Sequence, residues 1–354
     1  MEPRAGDSVV VGMSGGVDST YAAHSLVREG LTVAGLTLRF FSGMGQQQES
    51  LDELAVKRAR HICERLDIEH IVIDAGELFR GRVVDYLVRS YGSGATPNPC
   101  VTCNRHIKFP LLAEAADRLG AGWIATGHYA RVEIFGEKPV IAAASDRNKD
   151  QSYFLYRLTP EILERSIFPL GRVGKDEVRA ALEDIDLPAR ERESQDICFM
   201  GEEGLEGFLE ARLAPSPGDV LNTRGEKIGT HRGSCFYTVG QRKGLGVAAG
   251  TPLYVIRKDT DRNLVFLGEG EELLSRKAVC RDIVLTERLM EMPLRGKIRY
   301  RHGPARVENL IISKDEMTVI FTEPQRAVTP GQSLVLYRGD LVAGGGIITG
   351  DGKR

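Results

Sequence analysis

No apolar run in this 354-residue chain approaches the roughly 20 residues needed to cross a bilayer. Its opening, MEPRAGDSVVVGM, is a short polar tail running into a strand-like segment, with no basic stretch ahead of a long apolar one. These absences argue against a membrane span or a secretory signal and make the cytoplasm the expected compartment. Cysteine is scarce. Six in a chain of this length make no disulfide scaffold, and in a reducing compartment suggestively spaced cysteines are catalytic, metal-binding or simply buried. Neither sign of charge dominates: 47 Lys and Arg face 49 Asp and Glu, a net charge of −2. Such a balance neither announces nor excludes nucleic acid, because a basic face can coexist with an acidic remainder. There is no internal repeat and no low-complexity tract.

The residues that are present divide the chain. Hydrophobic content of 42% allows real cores, and the length points to two or three domains. Residues 8–13 (SVVVGM), 31–38 (LTVAGLTL) and 70–75 (HIVIDA) read as short buried strands. Helical patterns at 19–29, 51–66, 78–91 and 107–119 alternate with them, and GWIATGHYA supplies a further strand and turn. Residues 41–50 (FSGMGQQQES) read as a polar loop. Alternation of this kind implies an α/β, Rossmann-like domain with a parallel sheet covered on both faces. From about Pro215 the pattern changes to short β-like runs separated by Gly, Asn and Asp, an all-β second half.

Behind the first strand stands Gly12-Met13-Ser14-Gly15-Gly16-Val17-Asp18-Ser19. A strand, a Ser-Gly-Gly turn and a helix start form an anion site. The glycines admit a phosphate to the backbone, successive N–H groups point inward, and the helix N-terminus adds partial positive charge. Ser19 is suited to cap the helix or to bond a phosphate oxygen. The segment has no Walker lysine and is not a G-x-G-x-x-G dinucleotide loop. Its alternative reading is an ordinary glycine turn. Asp18 is suited to hold Mg²⁺ through water, or serves only as a helix-start residue.

This loop resembles the pyrophosphate loop of the PP-loop ATPases, in which Leu38 would contact adenine. Further segments resemble one group among them, the bacterial tRNA-specific 2-thiouridylase family. They are TPNPCVTCNRHIKF, ATGHYAR, DRNKDQSYFL, ESQDICFM, YTVGQRKGLG and EPQRAVTPGQ, in the family's order from residue 7 to near 349. The resemblance implies a PP-loop domain (1–203), a small central domain (204–272) and a C-terminal β-barrel (273–354). It implies ATP-dependent replacement of the 2-oxygen of the wobble uridine (position 34) by sulfur, in tRNAs for Lys, Glu and Gln. The sulfur would come from a relay protein or a cysteine desulfurase.

The resemblance also assigns residues. Cys103 would be the nucleophile, its pKa lowered by the following helix, and Cys198 the partner that carries persulfide sulfur. Gly127 would meet ATP. Asn98, Pro99, Cys100, His128, Lys149, Asp150, Gln151, Tyr300, Arg301 and Gln332 would meet tRNA. Lys149 to Gln151 read otherwise as a solvated polar turn. Lys297, Arg299 and Arg301 in KIRYRHGPAR would project from one strand face toward phosphates, or form a plain charged face. Cys63, Cys235 and Cys280 read as core residues. Many members of the family carry Asp where this chain has Cys100. With Cys100 present, Cys100, Cys103 and Cys198 could ligate a [4Fe–4S] cluster with one open iron; the alternative is a spare thiol beside a persulfide pair. Two other readings remain: an amidating PP-loop ligase, and a non-catalytic nucleotide- and RNA-binding protein whose three cysteines hold structural zinc.

Overall fold

The computed structural model describes residues 3–183, 197–200, 204–286, 289–290 and 293–352. By contacts the chain falls into two compact units. The first is Met1–Val83, Cys100–Gly201 and Asp340–Val342; the second is Val84–Pro99, Glu202–Gly339 and Ala343–Arg354.

The first unit is built on a parallel sheet of β1 (Ser8–Gly12), β2 (Thr32–Arg39), β3 (Glu69–Asp74), β4 (Trp123–Ala125) and β7 (Ser166–Ile167), in the order β3-β2-β1-β4-β7. Val9, Val10 and Val11 are all buried, because helices cover both faces of this strand. Helix α1 (Val17–Arg28) packs Ala22, Ala23 and Leu26 into the same core as Val9 and Val11, and α2 (Gln46–Arg65) adds Ala59, Ile62 and Cys63. The chain runs β1 to β3 toward one edge, then returns to place β4 on the other side of β1. The carboxyl ends of β1 and β4 therefore flank the topological switch point, where ligands bind in such sheets. A hairpin of β5 (Ala130–Phe135) and β6 (Lys138–Ala143) follows, turning at Gly136. Short helices α3 (Gly76–Phe79), α7 (Pro160–Leu163) and α8 (Lys175–Ala180) complete this unit.

Four expectations shift. Helix α1 begins at Val17 with Gly16 as its cap residue, and α2 already starts within the supposed loop, at Gln46. The pattern at 78–91 is broken by a π-turn at Arg80–Val84 before α4 (Asp85–Gly92). The cysteine segment is not a loop. Helix α5 (Pro99–Cys103), a π-turn (Asn104–Lys108) and α6 (Phe109–Arg118) run without interruption. Pro99 fits the first helical position, where no N–H is needed. Pro110 lacks the donor for the α-helical ladder and crowds the carbonyl four residues back. Before it the helix widens, and the Phe109 N–H bonds the Asn104 carbonyl, five residues back instead of four.

The second unit holds α4, α9 (Gly204–Leu213) and two sheets. The first sheet comprises β8 (Gly218–Leu221), β9 (Lys227–His231), β10 (Tyr254–Asp259) and β11 (Leu264–Gly268), around a core of Val220, Tyr237, Val255, Val265 and Leu267. The second comprises β12 (Leu274–Leu285), β13 (Arg295–Lys297), β14 (Ala305–Ser313), β15 (Glu316–Arg326), β16 (Ser333–Arg338) and β17 (Leu341–Gly350). Pairing of β12 with both β15 and β17 closes these six into a barrel. Met317, Val319 and Phe321 alternate into its interior, the period expected of a half-buried strand.

The basic stripe of KIRYRHGPAR is not a strand face. β13 ends at Lys297, and Arg299 turns inward. Its Nη2 donates to the carbonyls of Val239 (2.8 Å) and Ala327 (3.2 Å) and to Thr329 Oγ1. A guanidinium that closes three backbone segments is a structural brace. Arg299→Ala is expected to lower stability by about 2 kcal/mol, read as a shift of the urea midpoint at constant slope; an unchanged midpoint would contradict the brace.

Candidate active site

The phosphate loop is pinned before it turns. The Met13 N–H bonds the Leu36 carbonyl (2.7 Å), and Thr37 Oγ1 donates to the Met13 carbonyl (3.0 Å). Gly15 sits at φ +72°, and a side chain there would strike the Cβ of Arg58 on α2 at 2.6 Å. Glycine is thus demanded both by conformation and by space. Ser19 does not act as the helix cap. Its hydroxyl donates to the Gly16 carbonyl (2.9 Å) and accepts from the Ser14 N–H (3.2 Å), so it ties the turn from inside. Ser14, Gly16 and Asp18 remain exposed around it. The loop therefore presents backbone and hydroxyl groups at the start of a 12-residue helix, the geometry that receives phosphate. Leu38 lies half-buried near the carboxyl end of β2, the same end of the sheet as Gly12.

Across the switch point, the turn after β4 meets this loop. A Cβ on Gly127 would lie 2.7–2.8 Å from the Asp18 carbonyl and the Ser19 nitrogen, so only glycine lets the two backbones approach this closely. Tyr129 OH donates to Asp18 Oδ1 (3.1 Å), and Gln151 Oε1 accepts the Tyr129 N–H (3.0 Å). His128 is held by Thr126 Oγ1 (2.7 Å to Nδ1) and stacks on Phe109 at 5.8 Å between centroids. Burial, then the charge of Lys108, holds its imidazole well below the ordinary range, so it is neutral at physiological pH.

Phe109 opens the helix that continues the thiol segment. Asn104 Nδ2 donates to the Phe154 carbonyl (3.2 Å), and Arg105 Nη1 to the Arg157 carbonyl (2.9 Å), fixing this helix against the residues after the Asp150 turn. Cys100 and Cys103, three apart on α5, share a face. Cys198 is placed by its neighbour: Phe199 is buried edge-on against Phe79 (5.3 Å), which also contacts Phe40 and Phe41. Cys100 and Cys198 keep exposed surface and Cys103 is half-buried, yet dense surroundings disfavour every thiolate. Burial pushes Cys103 up to about 11, opposed by Lys108 and assisted by Cys100. Burial raises Cys100, again against Lys108, and raises Cys198 with help from both other thiols. The three sulfurs thus lie within electrostatic reach of one another. The expected depression of Cys103 by the helix dipole is overturned, because desolvation outweighs it.

The other expected contacts separate. Asp150 is nearly buried and faces inward, accepting from the Ala144 and Ser152 N–H groups (3.1 Å each) and from Ser152 Oγ (3.0 Å). Lys149 is half-buried beside it. In the second unit, Arg301 is exposed and Tyr300 half-buried next to Lys297, whose Nζ lies 5.6 Å from the Tyr300 ring centroid. Gln332 Nε2 donates to the Thr96 carbonyl (2.8 Å), the Thr96 N–H bonds the Pro330 carbonyl (2.8 Å), and Thr96 Oγ1 meets Thr238 Oγ1 (3.1 Å). Asn98 and Pro99 follow directly on this anchored residue. Cys63, Cys235 and Cys280 are buried as expected. Glu193 to Asp196 of ESQDICFM lie outside the described residues. The sequence reading missed the Phe40, Phe41, Phe79 and Phe199 cluster and the role of Lys108; the FF pair at 40–41 was a usable signal for the first.

The site suits Mg²⁺ with ATP: Asp18 offers one exposed carboxylate at the phosphate loop, the usual complement to phosphate oxygens. It does not suit an iron–sulfur cluster. Among the described residues no three His, Cys, Asp or Glu side chains are arranged to hold a metal.

Three family descriptions match in order: a tRNA methyl transferase HUP domain at 7–202, a tRNA methyl transferase PRC-barrel domain at 206–269 and an aminomethyltransferase β-barrel domain at 276–348. Whole-chain relatives carry a different activity in their names. The tRNA-specific 2-thiouridylase MnmA of Gloeothece citriformis is 42% identical over 351 residues, covering 96% of this chain and 99% of the relative. That of Pelotomaculum thermopropionicum is 41% identical, covering 97% and 98%. Among solved structures, the U34-tRNA thiolase NcsA from Methanococcus maripaludis with its [4Fe-4S] cluster shares 19% identity at a TM-score of 0.35, over 55% of this chain and 62% of that one. A likeness of that size bears on neither sulfur carrier. With both of its halves matched by relatives over nearly their full length, the chain belongs to the tRNA-specific 2-thiouridylase family.

Proposed function

We propose that this protein is an ATP-dependent tRNA-uridine 2-sulfurtransferase acting on the wobble uridine of tRNA, with Lys, Glu and Gln tRNAs as its substrates. The observation that carries this reading is a juxtaposition within one unit. A lysine-free phosphate loop at the switch point continues, through Gly127, His128 and Phe109, to a helix bearing two thiols within electrostatic reach of a third.

The chemistry runs in two stages. The uridine 2-oxygen attacks the α-phosphorus of ATP, the α–β anhydride bond breaks, and pyrophosphate departs into the N–H groups of the Ser14–Asp18 loop. Mg²⁺ near Asp18 offsets phosphate charge when bound. The adenylated oxygen is now a competent leaving group. The terminal sulfur of a persulfide on Cys198 attacks C2 and AMP leaves with the oxygen. Cys103 then attacks the Cys198 sulfur, breaking the S–S bond to release 2-thiouridine and leave a Cys103–Cys198 disulfide. A thiol reductant must reopen that disulfide, and a relay protein or cysteine desulfurase reloads the persulfide. Neutral His128 and Lys149 face the RNA in this scheme, with Tyr300, Arg301, Gln332 and the Asn98–Cys100 segment as further contacts. Asp150 acts through its internal bonds.

Purified protein with ATP, tRNA, a cysteine desulfurase and cysteine should form 2-thiouridine, measured by nucleoside mass spectrometry. Cys103→Ser and Cys198→Ser are each expected to lose product by roughly three orders of magnitude while still releasing pyrophosphate when tRNA is present. Undiminished thiolation in either variant would remove that residue from the sulfur path. Gly127→Ala is expected to weaken ATP binding about tenfold, because the added methyl must push α1 away from the turn; an unchanged KM for ATP would displace the nucleotide from this site.

The RNA face has a separate signature. Arg301→Ala should reduce the log–log salt slope of tRNA binding by roughly one unit, whereas Arg299→Ala should leave it unchanged. Equal slopes for wild type and Arg301→Ala would move the phosphate contact elsewhere.

A further inference from the structure

Strand β2 ends at Arg39, and the next two residues leave strand geometry. Successive side chains of a strand point to opposite faces. Phe40 and Phe41 instead both close on the ring of Phe79, at 4.9 and 5.7 Å between centroids. A backbone bent in this way carries two N–H groups out of the ladder. One carboxylate takes both: Asp52, on α2, accepts the Phe40 N–H at Oδ1 (3.0 Å) and the Phe41 N–H at Oδ2 (2.6 Å). Asp52 is only 3% exposed. Burying a carboxylate is costly, and here both of its oxygens are bonded to the bend.

The bend leads to a thiol. Phe79 is buried and meets Phe199 edge-on at 5.3 Å, with the rings at 85°. Phe199 and Cys198 form the middle of a turn closed by the Met200 N–H on the Ile197 carbonyl (3.2 Å). The two residues face differently: Phe199 is 1% exposed, whereas Cys198 is exposed. A closed turn restricts the backbone of both central residues, so whatever seats Phe199 also aims the Cys198 sulfur. Asp52, the four rings and this turn all belong to the first unit.

We propose that Asp52 is a positioning residue for Cys198. By holding the bend at Phe40 and Phe41 against Phe79, it seats Phe199 and so sets how often the Cys198 sulfur stands within reach of Cys103. This inference rests on the reading of those two thiols as the pair that closes when sulfur is delivered. The phosphate loop is pinned by Leu36, Thr37 and Ser19 and not by Asp52, so adenylation is spared.

The test compares Asp52→Asn, Phe79→Leu and Ile62→Val with wild type. Asn has the size of Asp but offers one acceptor, so one N–H of the bend is left facing a donor. Leu keeps position 79 apolar and removes the ring. Ile62→Val trims the same helix as Asp52, in a core cluster that contains none of the four rings, and so measures a general loss of stability. Full-length protein is equilibrated with reduced and oxidised dithiothreitol. The Cys103–Cys198 disulfide is quantified by peptide mass spectrometry, with an unfolding curve for each variant. The equilibrium constant reports the effective concentration of one thiol at the other. Asp52→Asn and Phe79→Leu are each expected to lower it about tenfold, and to lower kcat for 2-thiouridine formation by a similar factor. KM for tRNA and pyrophosphate release at saturating ATP should be kept, and Ile62→Val should match wild type throughout. An unshifted constant in Asp52→Asn, or an equal shift in Ile62→Val, would overturn the proposal; if Asp52→Asn does not fold, Phe79→Leu decides alone. Wild-type protein that forms no disulfide between Cys103 and Cys198 sinks the reading of the pair, whereas a wild-type disulfide with unshifted variants sinks the role of Asp52.

Discussion

The site depends on one close approach, that of the Gly127 backbone to the first turn of α1. With no Cβ between them, the turn after β4 lies directly against Asp18 and Ser19. Its consequences follow in order along the chain. His128, the next residue, is directed onto Phe109 and so toward the thiol helix. Tyr129, one further, returns to Asp18 through its hydroxyl and is held from behind by Gln151. A Rossmann-like sheet always opens a crevice at its switch point. Here a missing methyl group makes both walls of that crevice one continuous structure, which is why phosphate chemistry and sulfur chemistry fall within reach of each other.

Electrostatics at the sulfurs is a contest between burial and one cation, and burial prevails at rest. Cys103 stands near 11 although Lys108 lowers it, and the other two thiols are also raised. At neutral pH the resting site therefore holds protonated sulfur, which is slow to oxidise. The same arrangement limits what Cys100 contributes. As a thiol beside two others it raises their pKa values only when ionised, so it adds crowding and no free nucleophile. An Asp at this position would place a fixed negative charge there instead.

The parts of this architecture that were legible in the sequence are those set by local chemistry. The S-G-G-x-D-S turn needs its glycines and small hydroxyls wherever it occurs, and Val9–Val11 needs cover on both faces. Cys63, Cys235 and Cys280 sit in apolar patterns and are buried. The misread parts were set by distant partners. Arg299 looked like one tooth of a basic strand because alternation is visible in sequence and the Val239, Ala327 and Thr329 acceptors are not. Asp150, expected at the tRNA or otherwise in a solvated turn, is bonded internally because the Ala144 and Ser152 donors converge only in the fold. The cysteine helix was hidden by prolines that read as loop punctuation, although Pro99 sits where a helix tolerates proline and Pro110 widens the helix without ending it.

TPNPCVTCN then resolves into two functions along nine residues. Its first residue, Thr96, is held through its N–H, carbonyl and hydroxyl by Pro330, Gln332 and Thr238, so segments of the central and barrel sequences that looked like separate signatures share one mechanical task. Its last residues carry the thiols on a helix that runs on into the π-turn at Asn104–Lys108. Pro97 and Pro99 lie between, each with φ fixed and no N–H to satisfy. Every free dihedral in such a stretch adds entropy that the ordered state must overcome. Two prolines in four residues remove that freedom before folding, and Cys103 is held within its own unit by Asn104 and Phe109 on the helix that follows.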